Sequence, residues 1–160
     1  MLGTKTVLVV GTGTIGEPLV GLLCNFKDQL GIDEVVFHKR TPLLIDRSKV
    51  VDLMRRGGRL ATDPDRVSEF EKFGLKPALV TDEALEAARV VIDCTPSGND
   101  NKEKWYRRFE DSTDLFIAQG SEFGFGKPYA RGINDEALDR GRDKYLQVVS
   151  CNTHNLSVLI

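Results

Sequence analysis

Apolar and polar positions run in alternating blocks. KTVLVVG is a continuous, mostly β-branched apolar run, as expected of a strand buried on both faces. IGEPLVGLLCNF then spaces its apolar residues as a helix does, and DEVVFHKR reads as a second strand. TPLLIDRSKVVDLMRRGG reads as a helix ended by glycines. The polar, proline-containing RLATDPDRVSEFEKFG predicts one short helix starting near Asp65. KPALV predicts a short strand, and TDEALEAA a helix with Thr81 as N-cap and acids in its first turn.

RVVIDCT is another buried strand, NKEKWYRRFE a helix and DLFIAQG a strand. The glycine-rich SEFGFGKPYARGIN fits neither pattern. DEALDRG predicts a short helix, KYLQVVS the last strand, and CNTHNLSVLI the first turns of a final helix. Strands separated by helices require crossover connections, hence a doubly wound, mostly parallel α/β sheet with helices on both faces, Rossmann-like in class. With no repeat or long linker, residues 1–160 are expected to form one dinucleotide-binding domain.

A formal net charge of −2 gives no bias toward nucleic acid or an anionic membrane. No apolar run approaches the roughly 20 residues a membrane span needs. The start, MLGTKTVLVVG, lacks the basic region, apolar run and cleavage site of a signal peptide, so a soluble cytoplasmic protein is expected. Three cysteines, Cys24, Cys94 and Cys151, fit no metal-ligand or disulfide spacing, so no metal is expected. Cys24, on the apolar side of a helix, and Cys94, at a strand end, read as small core residues. Only Cys151 has polar neighbours on both sides.

VLVVGTGTIGEPLV holds G-x-G-x-x-G as Gly11, Gly13 and Gly16, between a strand and a helix, where a dinucleotide loop has to lie. Gly11 would make the tight turn, Gly13 would admit the pyrophosphate, and Gly16 would let the helix pack on the strand. The amides of Thr14, Ile15 and Gly16 would face the phosphates at the positive end of the helix dipole. An NAD-specific site places an acid about 20 residues on, to hold the ribose 2′-hydroxyl. VVFHKRTP has none at that place. Lys39, Arg40 and Thr41 would instead attract a 2′-phosphate, which favours NADP over NAD.

Cys151 opens the last predicted helix. Helix N-terminal amides favour a thiolate and, with the Asn152 side chain, could hold the oxyanion formed when a thiolate attacks a carbonyl. Ser150 and Thr153 add hydroxyls for a substrate phosphate or carboxylate. A capping motif with an incidental thiol is the plainer alternative.

GTGTIG, DCTPSGNDNK, AQGSEF and VVSCNT, in that order, resemble the archaeal-type, or class II, glyceraldehyde-3-phosphate dehydrogenases, from about Val7 to Leu156. The resemblance implies a phosphorylating aldehyde dehydrogenase of glycolysis and gluconeogenesis. Its substrates would be a phosphorylated aldehyde and inorganic phosphate. Cys151 falls on the nucleophile, and Ser150, Asn152 and Thr153 on the substrate loop around it. Thr14 and Ile15 fall on cofactor-contacting positions of the glycine loop. Thr95 and Pro96 fall on the loop that lies along the cofactor. Gln119, Gly120 and Ser121 fall near the nicotinamide ribose. Ser121 stands where the family has glycine, and His154 where threonine is more frequent.

In that family a catalytic domain follows, carrying the general-base histidine, phosphate-binding residues and most contacts of the homotetramer. Relative to it this chain reads as a fragment, inactive by itself. His38, at the adenine-ribose end, and His154, one helical turn from the nucleophile, do not supply the base. A semialdehyde dehydrogenase domain and a stand-alone NADP-binding or redox-sensing module are the alternatives.

Overall fold

A computed structural model describes residues 4–120, 122–139 and 141–159. The strands are β1 (Thr6–Val10), β2 (Glu34–His38), β3 (Arg59–Thr62), β4 (Leu79–Val80), β5 (Ala88–Asp93), β6 (Leu115–Gln119), β7 (Lys127–Tyr129) and β8 (Tyr145–Val148). The helices are α1 (Gly16–Leu30), α2 (Arg47–Arg55), α3 (Val67–Lys72), α4 (Thr81–Ala87), α5 (Gly98–Lys104) and α6 (Cys151–Leu159). The strands form one sheet in the order β4-β3-β2-β1-β5-β6-β8-β7, and every pairing in it is parallel. The expected Rossmann-like α/β class is what the chain adopts.

Because successive side chains of a strand face opposite ways, β1 feeds two cores. Val7 and Val9 join Val20, Leu23, Phe37, Leu53 and Phe70 beneath α1, α2 and α3. Leu8 and Val10 join Leu85, Val91, Tyr106, Phe116 and Phe125 beneath α4 and α5. After Thr6 the strand is apolar throughout, and all five of its residues are buried. α1 ends where Gly31 turns left-handed at φ 65° and Ile32 N–H reaches back to Lys27 O at 2.8 Å.

Several local readings are corrected. RLAT, inside the polar patch, is β3, laid beside β2 with Phe37 opposite Leu60. The helix in that patch begins at Val67, after a 3-10 turn at Pro64–Arg66. α2 starts only at Arg47, after a 3-10 turn at Leu44–Asp46. The predicted helix NKEKWYRRFE breaks at Trp105 into α5 and a 3-10 turn. DEALDRG yields a 3-10 turn at Asp135–Ala137, and the glycine-rich stretch contributes β7. Thr81 is the first residue of α4 and not its cap. The Glu83 carboxylate closes that end by accepting Val80 N–H at 3.0 Å.

In a parallel sheet all carboxyl ends lie on one edge. The chain turns to opposite sides of β1 after β2 and β5, so the switch point, where open α/β sheets bind ligands, lies between β1 and β5. No helix among the described residues is long and apolar enough to cross a membrane.

Candidate dinucleotide and thiol site

The glycine loop leaves β1 through Gly11, whose φ is +92° and whose N–H donates to His38 O at 3.0 Å. A Cβ at Gly11 would come within 2.9 Å of Thr95 Cγ2, so the loops after β1 and β5 touch at the switch point. Gly16 is more constrained still. A Cβ there would lie 1.9 Å from Gly11 O, which no side chain tolerates. At Gly13 a Cβ would meet nothing within 4 Å. The three glycines thus differ as a dinucleotide loop requires: turn, open approach and close packing. Glu17 N–H donates to Gly13 O at 3.1 Å, and among the described residues no backbone acceptor serves Thr14 or Ile15. Both residues are exposed.

Lys39, Arg40 and Thr41 join Gly11, Thr12, Gly13 and Thr14 around a cleft of ≈ 700 Å³, with Glu17, Pro18, Asp46 and Lys49 completing it. Thr95 lines an adjoining cavity of ≈ 150 Å³ with Val10, Gly11, His38, Arg40, Asn101 and Trp105. The open position at Gly13 and the cationic rim suit a phosphate-bearing dinucleotide. Both basic residues after β2, however, already have carboxylate partners. Lys39 Nζ lies 2.8 Å from Asp46, and Arg40 Nε 3.1 Å from Asp63. These acids come from segments distant in sequence from HKRTP or beyond its end.

His38 is buried. Its Nε2 lies 3.1 Å from both Asp63 Oδ1 and Thr81 Oγ1, and the Thr81 hydroxyl donates to Asp63 at 2.6 Å. Its ring meets Trp105 edge-on at 5.6 Å, while the Arg40 guanidinium lies 5.7 Å from the Trp105 ring centre. The hydrogen bond with His38, aided by Thr81 and Arg40, holds the Asp63 carboxyl well below the usual range despite partial burial. His38 therefore ties β2 to the ends of β3 and β4.

The sequence reading did not single out Asp93, the last residue of β5. Fully buried, it accepts hydrogen bonds from Thr95 N–H (2.7 Å), Thr95 Oγ1 (2.6 Å), Asn101 Nδ2 (2.8 Å) and the Tyr106 hydroxyl (2.5 Å). It thereby fixes Thr95 against Gly11. Burial, then the Asp93 charge, hold the Tyr106 phenol well above its ordinary value. A lone acid closing an apolar strand, VVID, was the available signal. Burial and the same Asp93 charge push the Cys94 thiol up to about 12, and burial raises Cys24 against the opposing charges of Arg56 and Lys27. Both stay protonated near neutrality, as core thiols do.

Gln119 ends β6, and Gly120 follows with φ +68°. Gly120 N–H donates to Val148 O at 3.0 Å, and the Gly120 carbonyl accepts from Gln147 Nε2 at 3.0 Å. Gln147 was another missed residue of this edge. Ser121 lies outside the described residues. Pro96 is exposed beside Thr95.

Cys151 is exposed at the first position of α6. Ser150 caps that helix, its Oγ 3.3 Å from Thr153 N and 3.0 Å from Thr153 Oγ1. The two hydroxyls expected to meet a substrate anion therefore bond to each other here. Asn152 is exposed, and His154 is half-buried in the next turn. Among the described residues no hydrogen bond joins His154 to the Cys151 thiol.

Along the carboxyl edge the loops follow in the order β2, β1, β5, β6, β8. Four strand spacings of about 4.8 Å put Lys39 and Cys151 roughly 19 Å apart, so nothing but a long ligand can address both.

No family model matches the chain. Curated relatives do. The chain is 33% identical over 151 residues to the glyceraldehyde-3-phosphate dehydrogenase of Pyrobaculum arsenaticum, covering 93% of this chain and 41% of that protein. It is 35% identical over 159 residues to that of Methanobacterium bryantii, with 95% and 43% covered. The enzyme of Methanothermus fervidus matches at 31% over 161 residues, again with 95% and 43% covered. The fold and edge are those of a Rossmann-like domain. The chain is a relative of the archaeal-type glyceraldehyde-3-phosphate dehydrogenases, as the motifs led one to expect. It spans about two fifths of their length.

Proposed function

We propose that this chain is the nicotinamide-dinucleotide-binding domain, with the nucleophilic cysteine, of a phosphorylating glyceraldehyde-3-phosphate dehydrogenase. The observation that carries the reading is the single edge that runs from the cationic end of β2, past the glycine loop and Thr95, to the exposed Cys151. Gly11, Gly13, Thr14, Ile15 and Gly16 hold the pyrophosphate, and Thr95 and Pro96 flank the cofactor. Gln119 and Gly120 lie toward its reactive end. Lys39, Arg40 and Lys49 line the cleft, each beside a carboxylate, and are the groups that would turn to a 2′-phosphate, which favours NADP.

The bound nicotinamide supplies a hydride acceptor. The protein's part is to present the Cys151 thiolate to an aldehyde carbon, forming a C–S bond and an oxyanion. That oxyanion is met by the amides that begin α6 and by Asn152. Once the hydride has left that carbon, the thioester on Cys151 is opened by inorganic phosphate, releasing the acyl phosphate and restoring the thiolate. In the whole protein the substrates are a phosphorylated aldehyde and phosphate, and the assembly a homo-oligomer.

Fluorescence titration of this chain with NADPH, paired with iodoacetamide labelling of Cys151, tests the reading. Saturable binding that slows Cys151 alkylation is expected. A chain that binds no dinucleotide, or binds it without protecting Cys151, would sink it.

A further inference from the structure

The segment after β2 carries no acid, yet the fold brings one to it. Asp46, closing the 3-10 turn Leu44–Asp46, accepts Lys39 Nζ at 2.8 Å; the two side chains are only 29% and 11% exposed. Both line the cleft of the glycine loop, and Lys39 Nζ also reaches Thr12 Oγ1 at 3.4 Å. Arg40 turns the other way, to Asp63 and over Trp105. Lys39 is therefore the cation after β2 that is bonded to the glycine loop, and it is held there by a carboxylate.

A ribose with a free 2′-hydroxyl meets in Asp46 an acceptor it can use. A 2′-phosphate meets instead a like charge, and has to share the Lys39 ammonium with it. The two ligands feel this carboxylate with opposite sign, which is what makes a residue discriminate between them. We infer that Asp46 is a specificity-determining residue that lowers the preference for NADPH over NADH set by Lys39. The inference rests on the dinucleotide reading above and adds the residue that tunes it.

The test titrates this chain and its Asp46→Asn, Asp46→Ser and Asp46→Asn/Lys39→Gln variants with NADPH and NADH separately, after thermal unfolding has shown which are folded. Freeing one charge-assisted hydrogen bond should raise the NADPH:NADH affinity ratio about tenfold in either single variant. Removing Lys39 as well should abolish the gain. A ratio within about twofold of the unsubstituted chain would overturn the inference, as would a gain that survives the loss of Lys39. An unsubstituted chain that binds neither dinucleotide overturns the site reading itself, a result visible before any variant is made.

Discussion

His38 Nε2 lies 3.1 Å from Asp63 Oδ1, and with Thr81 the pair joins the carboxyl ends of three neighbouring strands or their loops. The Asp63 carboxyl is held well below its ordinary value, so the folded state favours the charged form. The stabilisation is present above the unfolded-state value near 4 and is lost as pH falls toward the lower folded value. Asp63→Asn should cost roughly 1–3 kcal/mol at pH 7 and measurably less at pH 3, where only part of the stabilisation has been lost. Urea unfolding of both proteins across that range measures it. An equal cost at both pH values would show that the charge is not what stabilises.

The three thiols should separate by reactivity. Cys151 is exposed, whereas Cys24 and Cys94 are buried with raised values, Cys94 to about 12. Limiting iodoacetamide at neutral pH followed by peptide mass mapping should find Cys151 alkylated first, by about tenfold or more. Earlier modification of Cys94 in the folded chain would contradict the buried placement of the β5 end.

Gly16 and Gly13 should respond differently to the same substitution. A methyl at Gly16 strikes Gly11 O, with 1.9 Å between the atoms, whereas at Gly13 it meets open space. Gly16→Ala should lower stability by about 1–3 kcal/mol through overpacking. Gly13→Ala should leave the unfolding midpoint nearly unchanged and weaken dinucleotide binding about tenfold. Calorimetry with and without NADPH separates the two. A Gly13→Ala protein that binds normally would remove that glycine from the pyrophosphate site.

The strands that carry this edge were legible because burial on both faces leaves little room for polar residues: apart from Thr6, β1 is apolar, and all five of its residues are buried. β3 escaped notice because RLAT is short and sits between a glycine pair and an aspartate-proline turn; only its pairing with β2 makes it a strand. The glycines announced their own roles, since backbone geometry at Gly11 and Gly16 is local. Charge partnership is not local. Asp46 and Asp63 reach Lys39 and Arg40 through the fold, so a segment without acids in the sequence has two beside it in space. Ser150 and Thr153 were read as free hydroxyls, and helix capping joins them.

Asp93 should prove the main support of the loop that carries Thr95. Its buried carboxylate accepts from Thr95, Asn101 and Tyr106, so removing one donor differs from removing the acceptor. Tyr106→Phe deletes one hydrogen bond and leaves the ring stacked on Phe116 at 5.3 Å, which should cost about 1–2 kcal/mol. Asp93→Ala strands the buried Tyr106 hydroxyl and the part-buried Thr95 and Asn101 donors at once and should cost about 3–5 kcal/mol, with Thr95 released from Gly11. Chemical denaturation gives the first quantity, and amide exchange at Thr95 the second. The Thr95 amide donates to Asp93 at 2.7 Å, so its exchange should quicken in Asp93→Ala and stay slow in Tyr106→Phe. Slow exchange at Thr95 in both variants would mean that the loop holds its shape without the carboxylate, and Asp93 would then be one core polar residue among others.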